Sequence, residues 1–488
     1  SHTPLILLTA DRPPELRHCH SGQTIDQVGI YGNYPTFEAE ADFPDHSRNA
    51  AEKHAGLLRQ AWEAATGLEA GPAHINFPFR DPLHPHASLD PITLEFDLPS
   101  VFQNLSPPTS DPWTHPKLPE GKGSRGLILV GPAHPPDPLL FCQGIAGLAH
   151  RYGWPVLTDA LNPLRNFKEL NPYLISGYDT FLQNKGVWEE GIPDQILQVG
   201  SLPTSKRLRA WLEKHSIPTW VLDPSQDNRD PLQRPVQKFQ SRVEAFAGFV
   251  QPEEAPSAWT QSWIDLENHF AEKCWETLRS EDRLFEGKIP PFLAEQLPPE
   301  TPVFIANSMP VRDAEYFWPL NDRHHSIFTN RGANGIDGTL STALGVAHKG
   351  QPTVLLSGDL ALLHDTNGFL LADKFSGSLT ILLIQNGGGA IFDNLPIHEE
   401  STTYQDFFRT PQKVSLMDLC SAYGVAYQRV DTWNALEEVL RNLGSDPGIR
   451  VVEICTDPEK DVPYRNSLHR TLARSLPFKS ENYHELDP

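Results

Sequence analysis

The features that are scarce in this 488-residue sequence restrict the classes of protein to which it can belong. Its five cysteines are an odd number at wide spacings with no C-x-x-C pair, which indicates neither a disulfide framework nor a zinc ribbon. No apolar run approaches the roughly 18 residues of a membrane-spanning helix. Positive charge is also scarce, because the formal net charge is −22, and this disfavours nucleic acids and anionic membranes as partners. These shortages together predict a cytoplasmic globular protein without a membrane span.

The stretch 353–396 carries the most informative pattern in the chain. Residues 353–357 form an apolar run typical of a strand, residues 364–375 have the length and pattern of a helix, and residues 379–384 form a second apolar run. This order predicts a βαβ unit, in which two parallel strands end at the same edge of a sheet. Asp359 and Asn386 follow the two strands with 26 residues between them, so we expect them to meet at that edge.

These two residues have the chemistry of a magnesium site. Asp359 offers a carboxylate and Asn386 an amide oxygen, while the glycines at 387–389 allow backbone carbonyl groups to approach a ligand closely. Mg²⁺ binds few protein oxygens and takes its remaining ligands from phosphate and water. Taken singly, Gly-Asp can simply end a strand and Asn-Gly can simply be a turn. Their combination favours a metal site.

The chain is also similar to a known family over several ordered motifs. The Gly-Asp and Asn pair resembles the cofactor motif of thiamine diphosphate-dependent 2-oxoacid enzymes. Four further motifs narrow the resemblance to the 2-succinyl-5-enolpyruvyl-6-hydroxy-3-cyclohexene-1-carboxylate synthase family of menaquinone and phylloquinone biosynthesis: TADRPPELR (9–17), TSKRL (204–208), NSMPVR (307–312) and NRGANGIDG (330–338). The similarity extends from the first residues to about residue 457.

The resemblance implies an α/β fold of three consecutive domains with mostly parallel sheets, of which the first is incomplete. The expected divisions are the C-terminal part of a pyrimidine-binding domain (1–103), a proline-rich linker (104–119), a central α/β domain (120–250) and a domain that binds pyrophosphate and Mg²⁺ (255–488). The strand at 4–10 is expected to be parallel and buried, and the helix at 50–67 to bury Trp62. We further expect a helix at 415–427 and a surface-covering tail after residue 457.

The resemblance also implies the activity. A transferase of aldehyde or ketone residues would decarboxylate 2-oxoglutarate and add the resulting succinyl-semialdehyde unit to isochorismate, with thiamine diphosphate and Mg²⁺ (or Mn²⁺) as cofactors. At least a homodimer, or a homotetramer, is implied, because the superfamily places the cofactor between the first domain of one subunit and the last domain of another. Neither a nucleic acid nor a membrane is an expected partner.

The site residues follow motif by motif from the same resemblance. The implied metal ligands are Asp359, Asn386 and Gly388. The implied cofactor contacts are Ile336, Asp359, Leu360, Asn386, Gly388, Gly389, Ile391 and Phe392. Ser308, Arg312 and Arg331 would face 2-oxoglutarate, and Arg12, Gln23, Lys206 and Arg207 would face isochorismate, with Gln23, Arg331 and Ile336 in catalytic roles. Independently of the family, Lys206 and Arg207 follow a predicted strand and open a helix, which suits an anion.

Two other functions remain open from the residues alone. One is a different thiamine-dependent enzyme, such as an acetolactate synthase or a simple decarboxylase. The pair Ser308 and Arg312 and the pair Lys206 and Arg207 argue against such an enzyme, because pyruvate has no distal carboxylate for them to bind. The other is a non-catalytic thiamine-binding scaffold. In the resembled family, a glutamate that activates the cofactor lies well before the TADRPPE motif, whereas only eight residues precede Thr9 here. We therefore expect an N-terminally truncated synthase with little activity in the 488-residue form.

Overall fold

The computed structural model describes residues 3–44, 48–67, 70–81, 83, 118, 121, 125–225, 230–248, 256–395 and 403–478. The chain forms two compact units, one of residues 1–116 and 224–227 and the other of residues 117–223 and 228–488. The predicted linker at 104–119 lies outside the described residues except for Leu118. Within the ranges given above, no helix has both the length and the apolar character needed to cross a bilayer.

The first unit contains a small parallel sheet covered by one helix. Its elements are β1 (Leu5–Asp11), β2 (Phe37–Glu40), α1 (Arg48–Thr66) and β3 (Pro72–Pro78), and the strand order is β1-β3-β2. Its core is built from Ala61, Ala65 and Ile75. The strand at β1 is parallel as predicted, but the expectation that it is buried is wrong, because it has a neighbour on one side only and Leu8 is 58% exposed. Trp62 is also 41% exposed rather than inward-facing.

The second unit begins with a six-stranded parallel sheet, the middle sheet, ordered β6-β5-β4-β7-β8-β9. Its elements are β4 (Gly126–Val130), α2 (Pro138–Tyr152), β5 (Val156–Thr158), β6 (Leu174–Ile175), α3 (Tyr178–Phe181), α4 (Lys185–Glu190), β7 (Gln195–Val199), α5 (Lys206–Lys214), β8 (Thr219–Asp223) and β9 (Val236–Gln240). The central strand β4 is fully buried and entirely apolar, as expected for a parallel strand covered on both faces.

A second six-stranded parallel sheet, the last sheet, follows with the order β11-β10-β12-β13-β15-β14. Its elements, with the helices around it, are α6 (Ala258–Arg279), α7 (Ile289–Gln296), β10 (Val303–Ile305), α8 (Met309–Phe317), β11 (Ile327–Phe328), α9 (Thr339–Ala347), β12 (Thr353–Gly358), α10 (Asp359–His364), β13 (Ser378–Gln385), α11 (Leu416–Ala422), β14 (Ala426–Val430), α12 (Trp433–Arg441), β15 (Gly448–Cys455) and α13 (Pro458–Ser475).

Shorter helical turns connect these elements. The 3₁₀ segments are Pro14–Leu16, Pro163–Asn166, Lys168–Leu170, Val243–Phe246, Glu286–Lys288, Thr366–Lys374 and Ala390–Asn394, and Gln405–Arg409 is a π-helical turn.

Alternating side chains of the last sheet fill two cores. Leu356 and Leu382 face α7, α8 and α12, whereas Leu355 and Leu383 face α9 and α11. Because side chains alternate along a strand, each strand must be apolar on both faces, and this explains the continuous apolar runs in the sequence. The predicted α/β class with mostly parallel sheets is confirmed.

Three local predictions in this unit are corrected by the structure. The helix expected at 364–375 is the short α10 followed by the 3₁₀ segment Thr366–Lys374. The helix expected at 415–427 is interrupted, because α11 ends at Ala422 and β14 begins at Ala426 after a left-handed Gly424. The expected surface tail is α13, whose Leu468 and Leu472 share one face and pack into the core beneath the middle sheet, together with Leu476 directly after the helix.

Candidate active site

Three strands of the last sheet deliver polar residues to one edge. The neighbouring strands β10, β12 and β13 are parallel, and their carboxyl ends lead into Asn307, Asp359 and Asn386. Asp359 and the segment after Asn386 are in direct contact, because Asp359 Oδ2 accepts a hydrogen bond from the Gly388 backbone N–H at 2.8 Å. Ligands of α/β proteins bind at this edge of the sheet.

Asp359 is a buried carboxylate at the start of α10. Its Oδ1 accepts a hydrogen bond from the Leu360 backbone N–H at 2.7 Å. Burial raises the pKa of the Asp359 carboxyl to about 6, although the two backbone N–H donors act in the opposite direction. The cost of ionising this carboxyl in a dry site falls when a cation lies beside it. Its oxygens therefore suit a metal ion.

Asn386 has one satisfied and one unsatisfied end. Its Nδ2 donates to Glu286 Oε1 at 2.7 Å. Its Oδ1 is buried and has no hydrogen-bond partner among the residues that the structure describes. A buried acceptor without a partner is costly, so such an atom indicates a missing ligand. An amide oxygen beside a carboxylate is an oxygen set that Mg²⁺ or Mn²⁺ can use, and the residues present therefore fit a divalent cation.

The glycines after Asn386 form a close-packed backbone loop. Gly388 has φ of 113°, and a Cβ there would lie 2.2 Å from the Arg409 carbonyl oxygen. The Gly389 N–H donates to that same carbonyl at 2.7 Å. Only glycine satisfies both the backbone angle and the space at position 388. The loop can therefore present its main-chain groups to a bound ligand at short range.

Arg409 supports this loop, and the sequence analysis did not identify it. Its Nη2 donates to the Asn386 carbonyl oxygen at 2.6 Å and its Nε to the Gly387 carbonyl oxygen at 3.3 Å, while Nη1 pairs with Asp393. Tyr404 donates to the other oxygen of Asp393 at 2.5 Å. No spacing or motif in the sequence links position 409 to position 386, so only the fold reveals this contact.

Asn307 ties the end of β10 to the glycine-rich segment 330–338. Its Nδ2 donates to the carbonyl oxygens of Asn330 at 2.8 Å and Gly335 at 2.7 Å, and its Oδ1 accepts from Arg331 Nη1 at 2.8 Å. Ile336 is half-buried in this segment, and its carbonyl oxygen accepts from Thr339 Oγ1 at 2.8 Å. Asn307 therefore orients Arg331.

Ser308 and Arg312 lie at the start of α8. Ser308 has φ of 79°, which is strained for a residue other than glycine, and it precedes the helix. Arg312 Nη1 donates to the Ser308 carbonyl oxygen at 2.7 Å. This contact fixes the guanidinium one turn into the helix.

Lys206 and Arg207 begin α5, as predicted, directly after the Ser205 N-cap. Lys206 is exposed. Arg207 Nη1 donates to Asp179 Oδ2 at 2.6 Å, and Ser205 Oγ donates to the other oxygen of the same carboxylate. Asp179 therefore positions Arg207.

The charges of four arginines of the second unit act on overlapping neighbours, Arg312 and Arg209 on Arg331, and Arg207 and Arg312 on Tyr316. We call these four residues the arginine group: Arg207, Arg209, Arg312 and Arg331. Burial lowers the pKa of the Arg331 guanidinium, and the charges of Arg312 and Arg209 lower it further, while Asp159 opposes them. Burial raises the pKa of Tyr316 to about 12, and the positive charges of Arg207 and Arg312 act against that rise. Arg209 was missed in the sequence, although it lies two residues after the predicted pair.

The remaining predicted residues divide between the two units. Arg12 is half-buried in the first unit, with its backbone N–H on Asp11 Oδ1 at 2.7 Å, and Gln23 is exposed with φ of 56°. Ile391 and Phe392 are half-buried in the 3₁₀ segment after the glycine loop, with Phe392 packed edge-to-face on Phe408. Across the described part of the chain, no cluster of three His, Cys, Asp or Glu side chains could hold a metal.

Comparison with known proteins agrees with this arrangement. Residues 101–305 match the family described as "Middle domain of thiamine pyrophosphate", and residues 309–454 match "Thiamine pyrophosphate enzyme, C-terminal TPP binding domain". The structure is similar to an X-ray structure of a putative thiamin diphosphate-dependent enzyme from Mycobacterium smegmatis, with a TM-score of 0.59 at 14% identity over 94% of this chain and 83% of that one. Fold and site thus define an enzyme that uses thiamine diphosphate.

Curated relatives narrow the class further. Three proteins named 2-succinyl-5-enolpyruvyl-6-hydroxy-3-cyclohexene-1-carboxylate synthase are similar to the chain. The relative from Rippkaea orientalis is 42% identical over 99% of this chain and 83% of its own length. Those from Trichormus variabilis and Microcystis aeruginosa are each 45% identical, over 95% and 94% of this chain and 81% of their own lengths. The chain belongs to this synthase family and is a thiamine diphosphate-dependent transferase of the menaquinone and phylloquinone pathway.

Proposed function

We propose that this protein decarboxylates 2-oxoglutarate and adds the succinyl-semialdehyde unit to isochorismate, which gives 2-succinyl-5-enolpyruvyl-6-hydroxy-3-cyclohexene-1-carboxylate. Thiamine diphosphate, when bound, supplies the electron sink that allows a 2-oxoacid to lose CO₂. The chain itself must bind the diphosphate, bind both substrates and keep water away from the reacting carbon. Support for this specific reaction comes from the relatives that carry the name of its product.

The diphosphate is held through Mg²⁺ or Mn²⁺ in this proposal. Asp359 supplies a carboxylate oxygen, Asn386 its Oδ1, and Gly388 its backbone carbonyl. Asn386 Oδ1, which is buried and has no hydrogen-bond partner in the described part of the chain, supports the assignment, as does the burial of Asp359. A chain with a net charge of −22 repels a free diphosphate, and the cation removes that repulsion locally.

The cofactor's organic part takes the residues that surround this edge. Leu360 and Gly389 adjoin the metal ligands in the chain. Ile336, Ile391 and Phe392 are half-buried and supply apolar surface for the rings. Gln23, Arg331 and Ile336 have the catalytic roles in this proposal, and Gln23 is included on the family resemblance alone.

The arginine group is the feature that most favours 2-oxoglutarate and isochorismate as the substrates. 2-Oxoglutarate has a distal carboxylate and isochorismate has two carboxylates, so both need fixed cations. Arg312 and Arg331, with Ser308, bind 2-oxoglutarate. Arg207 and Lys206, with Arg12, bind isochorismate. Arginine gives a planar carboxylate two parallel hydrogen bonds, which orient the ligand as well as attract it.

The proposal includes an assembly and a location. We propose a cytoplasmic homodimer or homotetramer in which the cofactor lies between the pyrimidine-binding part of one subunit (1–103) and the pyrophosphate-binding part of its partner (255–488). Exposed apolar side chains on the 3₁₀ segment Thr366–Lys374, Leu370 at 70% and Leu371 at 49% exposure, support a covered surface there.

A substrate comparison tests the reaction. The protein expressed from its complete gene is incubated with thiamine diphosphate, Mg²⁺ and either 2-oxoglutarate with isochorismate or pyruvate alone, and products are identified by mass spectrometry. The proposal predicts the succinylated product from the first mixture and little turnover of pyruvate. Turnover of pyruvate without use of 2-oxoglutarate would identify a different thiamine-dependent decarboxylase.

A further inference from the structure

Glu286 is a buried carboxylate that the reaction as proposed does not use. It begins the 3₁₀ segment Glu286–Lys288 and is 2% exposed. Its Oε1 accepts hydrogen bonds from Asn386 Nδ2 at 2.7 Å and Thr456 Oγ1 at 2.9 Å. Its Oε2 accepts from Arg465 Nη2 at 3.2 Å. The side chain therefore lies between the proposed metal ligand Asn386 and a buried arginine.

We propose that Glu286 is a positioning residue that fixes which end of the Asn386 amide faces the metal. The inference rests on the proposed function, because it assumes a cation at Asp359 and Asn386. The two ends of a carboxamide have nearly the same size and shape, so packing alone does not distinguish them. Only the oxygen can ligate a cation, because an amide NH₂ donates hydrogen bonds and offers no lone pair.

The chemistry of Glu286 decides between these two orientations. Both Glu286 oxygens already accept hydrogen bonds from other donors, Oε1 from Thr456 and Oε2 from Arg465, so Oε1 must face the donor Asn386 Nδ2. In the reversed orientation Asn386 Oδ1 would lie against Glu286 Oε1, and two acceptors would be in contact in a dry site. In the observed orientation Asn386 Oδ1 is buried and has no hydrogen-bond partner among the described residues, so it is available to ligate a cation. A hydrogen bond to an ionised acceptor is also stronger than one between neutral groups.

Arg465 holds the Glu286 side chain in this position by donating to its Oε2. It is 3% exposed and binds Asp313 through two hydrogen bonds, Nε to Oδ1 at 2.7 Å and Nη2 to Oδ2 at 2.9 Å. One guanidinium thus serves two buried carboxylates, Glu286 and Asp313, and only Glu286 contacts Asn386. Outer partners of this kind orient metal ligands in many sites. Asp313 is therefore a natural control for Glu286.

The substitution Glu286→Gln tests the inference. Arg465 offers only hydrogen-bond donors, so the oxygen of the new carboxamide at position 286 must face Arg465 and its NH₂ must face Asn386. Asn386 must then turn its oxygen toward that NH₂ and its own NH₂ toward the metal. We expect the apparent Kd for Mn²⁺ in the presence of thiamine diphosphate to rise roughly 10- to 100-fold. The measurement is the electron paramagnetic resonance signal of free Mn²⁺ during titration, which needs no turnover.

Two further variants separate positioning from general support. Asp313→Asn disturbs the same arginine without touching Asn386 and should change Mn²⁺ affinity much less, while thermal denaturation checks that both variants fold. In the double variant Glu286→Gln with Asn386→Asp, the new carboxylate accepts from the NH₂ at position 286 and still offers an oxygen to the metal. Mn²⁺ affinity should therefore recover in the double variant relative to Glu286→Gln alone.

The outcomes distinguish this inference from the proposed function. If the wild-type protein does not bind Mn²⁺, or if Asp359→Asn binds it as tightly as wild type does, the metal site itself is wrong and the role of Glu286 falls with it. If wild type binds, Asp359→Asn does not, and Glu286→Gln keeps wild-type affinity, the metal site stands and the inference about Glu286 is overturned. Equal losses in Glu286→Gln and Asp313→Asn, without recovery in the double variant, would also overturn it.

Discussion

At the scale of single residues, the arginine group would allow an acidic protein to bind the acidic substrates proposed above. The chain carries a net charge of −22, yet the Arg331 guanidinium has a lowered pKa because it is partly buried and lies near Arg312 and Arg209. Crowded cations repel one another, and a bound dianion relieves that repulsion. In the proposed function, local attraction at these arginines offsets the long-range repulsion and favours ligands with two carboxylates.

Arg312→Ala should weaken the use of 2-oxoglutarate by about 2–4 kcal/mol in transition-state terms, the scale of a charge-assisted bidentate contact in a partly dry site. The measurement is kcat/KM for 2-oxoglutarate and for pyruvate. Pyruvate should lose far less, because it lacks the distal carboxylate. Arg450→Ala is a matched control, since Arg450 lies near the amino-terminal end of β15 and donates to Thr380 Oγ1. Equal losses for both substrates would instead give Arg312 a structural role.

The site was only partly predictable at this scale. Asp359 and Asn386 could be found because they follow strands at a readable spacing. Glu286 lies 100 residues before Asn386 in the sequence, and Arg409 lies on a separate segment after Asn386. Neither contact with Asn386 can therefore be predicted from a local sequence pattern. Such residues are brought together by folding alone. Arg12 and Gln23 remain predictions, because they belong to the other compact unit.

At the scale of secondary-structure elements, α13 differs most from what the sequence suggested. Its polar composition and Pro463 indicated a surface tail, but the helix buries Arg465 and His469 together with its leucine face. Arg465 could be buried because it binds Asp313 and Glu286. His469 Nδ1 contacts Thr180 Oγ1 at 3.2 Å, whereas its Nε2 has no hydrogen-bond partner among the described residues. Composition predicts exposure only when such partners are lacking.

Arg465→Met should destabilise the protein by about 3–5 kcal/mol, because it leaves two buried carboxylates without their cation. Urea denaturation of both proteins measures the change. Lys460→Met on the same helix is the control. Its ion pair with Asp457 is exposed, and such pairs contribute about 0–1 kcal/mol. A loss no larger than that of the control would mean that the buried charges do not depend on Arg465.

His469 makes stability depend on pH. Burial lowers the pKa of its imidazole to about 3, and the charges of Arg207 and Arg465 act in the same direction. Below the ordinary pKa of 6.5 the unfolded chain takes up a proton that the folded chain does not, so stability is lost as pH falls from 6.5 toward 3. By pH 5 this single group should cost roughly 2 kcal/mol.

His469→Phe keeps the ring stacked on Phe317 and removes the titration. Urea denaturation at pH 7 and pH 5 should therefore show a smaller loss of stability for this variant than for wild type. His364→Asn, at an exposed histidine on α10, should leave the wild-type difference unchanged. The same loss in all three proteins would exclude His469 as its source.

At the scale of the whole molecule, the parallel sheets were the most predictable feature. Apolar runs of four to eight residues separated by helices are typical of buried parallel strands, and the structure confirms two six-stranded sheets of this kind. The exposed face of β1 is an exception to this relation between apolar runs and buried strands. An apolar run predicts burial somewhere, but it does not say which partner covers the strand.

The number of subunits in the assembled protein can be measured directly. We expect sedimentation velocity to find a dimer or tetramer at micromolar concentration. Leu370→Asp should shift the protein toward monomer, since it places a charge on an apolar surface that is 70% exposed in the single chain. Leu139→Asp, at another exposed leucine, on α2, should leave the assembly intact. A wild-type monomer would contradict the proposed cofactor position between subunits.

We propose above all that a divalent cation at Asp359 and Asn386 holds the diphosphate at the carboxyl edge of the last sheet. Calorimetric titration of thiamine diphosphate into wild type and Asp359→Ala, each with Mg²⁺ and with a chelator, tests it most directly. We expect tight binding for wild type with Mg²⁺ and loss of that binding in the other three titrations, with the variant still folded by circular dichroism. Unchanged affinity in Asp359→Ala with Mg²⁺ would contradict it.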